Sequence, residues 1–371
     1  MYKNYTINDT IESSKRKLFT HISTFSGGGG SCIGVNLAGG QTLVANEFVE
    51  TASETYLKNF PDRKVLVGDI KELTGEDFLR ESGLDVGELD LFEGSPPCSA
   101  FSISGNKSSG WNKEKTYSDG KKVHNIEDLF FEFIRIANEI KPKVIIAENV
   151  VGLTVGESKK YLNKIINSLS SIGYEVTYKI LDASLYGTPQ RRCRVIFLCI
   201  REDIANIVGI NQFNIQNIYP EGKKDKSLSF GKVMEDVNPD KYGDLLYLTD
   251  KLNRRSPDLR KYISIVVDEK LNEHKNVKLD SLTGTKYFNY CVYSYNDIPN
   301  TITQRGLQIE NFIHPSGKRP ITTSEACRIM GLPDDYMFTG SIYQNLERVG
   351  RMVAPKMYEA LCNSIYDKVL K

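Results

Sequence analysis

The stretch HISTFSGGGGSCIG, residues 21–34, sets a short apolar run directly against four consecutive glycines. The run suits a buried strand and the residues behind it open a helix, so the glycines occupy a strand-to-helix turn. Glycine there permits positive φ and lets a ligand touch the backbone, with a helix N-terminus just behind. Alone, the loop is ambiguous, because a flexible turn and a nucleotide site look alike at this level.

Its surroundings follow one pattern. Six more apolar runs succeed it: TLVAN (42–46), KVLVG (64–68), LDLFEG (89–94), KVIIAEN (143–149), EVTYKIL (175–181) and RVIFLCI (194–200). Amphipathic segments lie between several of them. One has Ile126, Leu129, Phe130, Phe133, Ile134, Ala137 and Ile140 at three-and-four spacing; another has Tyr161, Leu162, Ile165, Ile166 and Leu169. Strand-helix alternation from Leu18 to about Arg201 predicts an α/β domain, a mostly parallel seven-stranded sheet with helices on both faces.

Beyond Arg201 the alternation stops. YPEGKKDKSLSFGKV (219–233) and KLNRRSPDLRKY (251–262) are polar, mixed in charge and rich in turn formers. The reading is a smaller, irregular domain over 202–303. Helical signals return in a C-terminal segment, 304–371, where TTSEACRIMGLP (322–333) sets a Thr/Ser cap before a short helix stopped by Gly-Leu-Pro.

The 371 residues can bury a sizeable core, and the net charge of +1 excludes a strongly basic polymer-coating protein. It leaves room for a local basic groove. The seven cysteines are scattered without paired metal spacing, which argues for a reducing compartment, no disulfide framework and no metal site. The polar N-terminus resembles neither a signal peptide nor an anchor, and no apolar run reaches bilayer-spanning length, so a cytoplasmic protein is expected.

Acids gather at the carboxyl ends of the predicted strands, where open α/β sheets hold ligands. The second strand ends in Glu47, suited to ribose hydroxyls, with Phe48 offering a flat surface to a purine. The third ends at Asp69, able to accept from an adenine amino group. With the glycine loop these describe an adenosine site. No phosphate-binding lysine accompanies them, which disfavours an ATP loop and leaves a nicotinamide or flavin dinucleotide, or S-adenosylmethionine.

The fourth strand opens at the same edge into SPPCS, residues 95–99. Pro96 and Pro97 restrict the directions in which Cys98 can face, and the Gly/Ser-rich residues after it suit a loop that moves over substrate. A lone cysteine is ordinarily core filler. Here it shares an edge with Glu148 and Asn149 after the fifth strand, and with Gln190, Arg191, Arg192 and Arg194 in GTPQRRCRVIF (187–197).

In order along the chain, FSGGGGSCIG, NEF, GDI, PPCS, ENV, QRRCR, RPITTSEACRIMGLPDDY and VGRMVAPKMYEAL make this sequence resemble the DNA cytosine-5 methyltransferases of the bacterial modification type. The resemblance spans nearly the whole chain. It implies a Rossmann-like fold that binds S-adenosylmethionine, releases S-adenosylhomocysteine and needs no metal. It implies that region 202–303 is a target-recognition domain, and that a cytosine is flipped out of duplex DNA before the chemistry.

The implied roles are specific. Cys98 adds to carbon 6, Glu148 serves ring nitrogen 3 as a protonated acid, Arg194 holds the base carbonyl and Arg192 a backbone phosphate. Phe25, Gly27, Gly29, Gly30, Glu47, Phe48, Asp69, Ile70 and Pro97 form the cofactor site. Ser99, Ser102, Asn149, Gln190, Arg191, Arg305 and Gly306 face the nucleic acid. Ser104, Lys107 and Trp111 belong to the closing loop, while Lys223, Lys224, Arg254, Arg255 and Lys261 are candidate phosphate contacts.

Two positions depart from the family pattern: Ser99 stands where Gln is usual, and Arg351 where Asn is usual. Other readings are a tRNA cytosine-5 methyltransferase on the same scaffold, a non-catalytic DNA or adenosyl-ligand binder and, more distantly, a Rossmann dehydrogenase. A monomer is expected, with a cognate restriction endonuclease as a potential partner.

Overall fold

The computed structural model describes residues 2, 4–97, 115–116, 122–123, 128–270, 275–287, 290–302 and 311–371. The expected closing-loop residues Ser104, Lys107 and Trp111 lie outside them.

All seven apolar runs form strands of one sheet: β1 (Phe19–Thr24), β2 (Gly40–Glu47), β3 (Lys64–Val67), β4 (Leu91–Gly94), β5 (Val144–Val150), β6 (Tyr174–Asp182) and β7 (Cys193–Arg201). Their spatial order is β3-β2-β1-β4-β5-β7-β6. Pairing is parallel from β3 through β5, and β7 alone runs against its neighbours. The glycine turn follows β1, where the strand order reverses direction, which is where open α/β sheets place their ligands.

The helices used below are α1 (Gly30–Leu37), α2 (Glu50–Asn59), α3 (Leu129–Ile140), α4 (Ser158–Ser171), α5 (Thr323–Met330) and α6 (Pro355–Ile365). On one face of the sheet, Ile22, Val44, Phe92, Ile145, Ala147, Val195 and Phe197 pack with Phe130, Phe133 and Leu162 of α3 and α4. Phe92 stacks on Phe133 with ring centroids 4.8 Å apart. Each fully buried phenylalanine stabilises by about 1.5–3 kcal/mol through burial alone. The alternation of β-structure turns His21, Ser23, Glu93, Ile146, Glu148 and Arg194 to the opposite face.

The chain divides into two compact units. One comprises Asn8–Asp182, Cys193–Gly222 and Met357–Lys371, and holds the sheet. The other comprises Met1–Ile7, Ala183–Arg192 and Lys223–Lys356. The second has its own apolar cluster of Leu252, Leu259, Ile263, Val266, Leu279, Val292 and Ile313, beside a three-stranded sheet. In it, Thr322 and Glu325 cap α5 reciprocally and Gly331 ends the helix in the left-handed conformation, as TTSEACRIMGLP predicts.

Candidate active site

Five strand exits of the sheet unit are tied into one rim by side chains that reach across them. Ser26 donates its backbone N–H to Asn46 O at 3.0 Å. The Asn46 amide donates to Leu66 O at 2.9 Å and Gly68 O at 3.1 Å, which couples the β2 and β3 exits. Ser95 Oγ donates to Phe25 O at 3.3 Å, and Asn149 Nδ2 donates to Pro96 O at 3.2 Å. These bonds run without a break from β3 to β5.

Within this rim the glycine turn is preorganised by its backbone. Phe25, Gly27 and Gly29 have φ of 52°, 55° and 89°. A side chain on Gly29 would meet the Tyr56 ring at 2.6 Å, so only glycine fits there, whereas the space over Gly27 is open. A non-glycine residue such as Phe25 at positive φ is sparsely populated and persists where the surroundings enforce it. Gly29 is the N-cap of α1, all of whose residues are buried.

Glu47 is 7% exposed. Its Oε2 accepts from Gly27 N–H at 2.6 Å and its Oε1 from Val49 N–H at 2.8 Å. The acid thus locks the loop while each oxygen keeps lone-pair capacity for a ligand hydroxyl. Phe48 is half-buried beside it; Asp69, also half-buried, accepts from Lys71 N–H at 3.0 Å, and Ile70 is buried. Open backbone at Gly27, a purine-sized apolar wall and two carboxylates fit an adenosyl group with no phosphate. Gly30 begins α1 and Pro97 is half-buried at the β4 exit.

The candidate catalytic edge lies two strands along. Glu148 is 8% exposed on β5, and Arg194 lies diagonally across on the antiparallel β7, where Glu148 pairs with Ile196 and Val150 with Arg194. Arg194 Nε reaches Glu148 Oε1 at 2.7 Å. The pair offers a carboxyl and a guanidinium side by side, a spacing that suits the adjacent ring nitrogen and carbonyl oxygen of a cytosine edge. Asn149 is buried, points to the other face and fixes the Pro96 carbonyl, and so directs the chain entering Cys98. Cys98 itself, with Ser99, Ser102, Arg305 and Gly306, lies outside the described residues.

The QRR segment belongs to the second unit, and there the structure corrects one expectation. Arg192, expected to meet a phosphate, is 2% exposed and donates to the carbonyls of Ile302 (3.1 Å), Gly350 (3.1 Å) and Met352 (2.9 Å). Its charge is committed to the fold. Gln190 is fully buried and accepts from Ile302 N–H at 3.3 Å. Arg191 is exposed and pairs with Asp297, Nη1 lying 3.1 Å from Oδ2. Burial alone would raise the Asp297 pKa, but Arg191 and the amides of Asn276 and Ile298 hold it below the ordinary carboxylate range. Arg351, the departure from the family pattern, pairs with Glu347 one turn back.

Sequence reasoning missed the buried polar groups His21, Ser23, Glu93 and Tyr358, which share the face of Glu148 or pack on it. A signal was present, since a glutamate inside the apolar run LDLFEG cannot be an ordinary solvated charge.

The fold and the rim are those of an α/β protein with its candidate site at the strand exits of a mostly parallel sheet, and comparison with known proteins makes the family definite. Residues 19–367 match the C-5 cytosine-specific DNA methylase family, and the chain belongs to it. It is 27% identical over 349 residues to the Type II methyltransferase M1.HphI of Haemophilus parahaemolyticus, covering 93% of this chain and 86% of that protein. With the Type II methyltransferase M.Eco47II of Escherichia coli it shares 28% identity over 367 residues, 95% and 81% of the two chains. Among solved structures, a candidate DNA modification methyltransferase encoded within an Escherichia coli prophage superposes with a TM-score of 0.65 at 20% identity, over 94% of this chain and 99% of that one, a likeness of fold. Among the described residues there is no cluster suited to a metal ion and no helix long and apolar enough to cross a membrane.

Proposed function

We propose that this protein methylates carbon 5 of a cytosine flipped out of a specific duplex DNA sequence, with Cys98 as covalent nucleophile and Glu148 and Arg194 as the groups that bind the base. The observation that carries this reading is the Glu148–Arg194 pair at 2.7 Å, on the rim that also fixes Pro96 two residues before Cys98.

The chemistry explains why these groups are needed together. Cytosine is electron-poor, and its carbon 5 attacks nothing until the ring is loaded with electrons. Addition of the Cys98 thiolate to carbon 6 breaks the aromaticity and makes carbon 5 enamine-like. Charge then develops at ring nitrogen 3, where a protonated Glu148 donates. Arg194 is displaced from Glu148 by the base carbonyl oxygen, which frees the acid and orients the ring in one movement. S-adenosylmethionine, when bound, supplies an electrophilic methyl. Loss of the carbon-5 proton lets the ring expel Cys98 and regain aromaticity.

Gly27, Gly29, Glu47, Phe48, Asp69 and Ile70 would hold the adenosyl group, and Ser99, Ser102, Arg305 and Gly306 the DNA. Region 202–303 selects the sequence, with Lys223, Lys224, Arg254, Arg255 and Lys261 as phosphate contacts. Arg191 joins them once it leaves Asp297. The protein works as a cytoplasmic monomer, and a restriction endonuclease of the same specificity is its natural partner.

Methyl incorporation from labelled S-adenosylmethionine into matched duplex DNA and structured RNA tests the substrate assignment. Incorporation into DNA is expected, lost in Glu148→Gln by roughly 100-fold or more. Transfer to RNA alone, or full activity in Glu148→Gln, would overturn it.

A further inference from the structure

The second unit displays an aromatic ring for which the proposed reaction has no use. Tyr295 is 50% exposed, at the tip of a β-turn in which Asp297 N–H donates to Ser294 O at 3.3 Å. A single exposed aromatic needs no explanation. This one sits on a rigid mount. Its carbonyl accepts from Gly231 N–H at 2.8 Å, and a side chain on Gly231 would meet that same oxygen at 3.0 Å. Its ring makes edge contacts with His314 and with the fully buried Phe230, centroids 5.8 Å and 6.2 Å away.

The base of the turn is tied down as well. Ser294 N–H donates to Asn276 Oδ1 at 2.9 Å, and Asn276 Nδ2 donates to Ile298 O at 2.7 Å. Phe230 N–H donates to Asp297 O at 2.9 Å. The Asp297 carboxylate accepts from Asn276 N–H and Ile298 N–H, each at 3.0 Å, in addition to Arg191. Those two amides remain with the carboxylate if Arg191 leaves. A buried pair whose rupture strands a charge is held shut, whereas this one can open at small cost.

What surrounds the ring says what it meets. The Arg191 side chain is 45% exposed, and the exposed Lys275 directly precedes Asn276. Two cations and one committed acid therefore flank a flat apolar ring. Nucleic acid matches that combination, because its backbone alternates phosphates with apolar sugar faces. A guanidinium accepts a phosphate in the same forked geometry as a carboxylate, so Asp297 occupies Arg191 in the way a phosphate would.

We propose that the Ser294–Asp297 turn is a DNA contact: a backbone phosphate takes Arg191 from Asp297, and the Tyr295 ring packs on the deoxyribose beside that phosphate. The inference rests on the reading of duplex DNA as substrate, and adds to it a contact whose strength is set by an internal competitor. The contact reads no base, so it positions the duplex on any sequence. Release of Arg191 leaves the turn in place, since the bonds from Gly231, Phe230 and Asn276 do not involve the guanidinium.

The test is equilibrium binding of a labelled random-sequence DNA duplex across salt concentration. It compares the wild type with Tyr295→Ala, Tyr295→Phe, Arg191→Met and Asp297→Asn, with melting temperature and S-adenosylmethionine affinity for each. Tyr295→Ala should bind about five-fold more weakly with an unchanged salt slope, because a ring on a sugar releases no counterion; Tyr295→Phe should bind like the wild type. Arg191→Met should reduce the slope by about one. Asp297→Asn should bind about two-fold more tightly although it melts lower, because the competitor is gone; a merely structural role would weaken binding instead. Cofactor affinity should stay at the wild-type value throughout. If Tyr295→Ala does not fold, Tyr295→Leu, which keeps an apolar seat against Phe230 without the ring, decides. Wild-type affinity in the ring-deleted variant, an unchanged slope in Arg191→Met, or weaker binding by Asp297→Asn overturns the contact. A wild-type protein that methylates RNA alone would instead remove the underlying reading.

Discussion

Replacing Gly29 with alanine probes how far the cofactor turn depends on its backbone. Two costs are legible at this position. The φ of 89° is one that side chains resist, worth about 1–2 kcal/mol. The added methyl would lie 2.6 Å from the Tyr56 ring, which is fully buried and packs on Phe60 at 5.4 Å between centroids. Overpacking of that kind costs roughly 1–3 kcal/mol. The sum is about 2–5 kcal/mol, a fall in melting temperature of roughly 5–15 °C for a domain of this size.

Because the ring cannot retreat without moving the turn, S-adenosylmethionine affinity should fall about ten-fold or more in the fraction that stays folded. Calorimetric titration and thermal melts on the same preparation measure both. Adding Tyr56→Leu should restore part of the stability, since it relieves the contact but leaves the φ cost. A Gly29→Ala protein that melts and binds like the wild type would refute the reasoning.

Other substitutions separate roles that resemble one another on paper. Arg192→Met should destabilise the fold by about 3 kcal/mol or more, because three buried carbonyls lose their donor, yet leave the salt dependence of DNA binding unchanged; a phosphate contact would reduce the slope by about one. Asn149→Ala should slow methyl transfer about ten-fold by releasing the Pro96 carbonyl, with cofactor affinity within two-fold in a filter-binding assay. Asp297 has a depressed pKa in the folded protein, so it stabilises above the ordinary carboxylate range and loses that contribution as pH falls through its folded value. The melting-temperature gap between wild type and Asp297→Asn should therefore be constant above about pH 5 and close as pH falls below 4.

The sheet was legible because each strand is a contiguous apolar run with turn formers on either side, and β1 and β4 carry their functional residues at their carboxyl ends. Glu47 and Glu148 could be placed for the same reason, since a residue that ends a parallel strand has only one edge to occupy. Arg192 could not. Its neighbours in QRRCR look like a solvated charge run, and only tertiary structure reveals three carbonyls converging on it. Glu93 was passed over because period-2 patterning treats LDLFEG as a plain buried strand, although an acid in such a strand needs a partner such as the Ser23 hydroxyl, which donates to it at 2.9 Å. The region 202–303 has little periodicity, and the short helices there are fixed by tertiary packing around Leu252, Leu259 and Ile263 more than by local pattern.

The nucleophile is the claim on which the mechanism turns. A target duplex carrying 5-fluorocytosine should, with S-adenosylmethionine present, form an adduct with this protein that survives denaturant, because fluorine cannot leave as the carbon-5 proton does. Mass spectrometry of the digested adduct should place the nucleotide on Cys98, and Cys98→Ser should yield none while binding the cofactor within a few-fold. An adduct that persists in Cys98→Ser, or maps to another residue, would contradict the account.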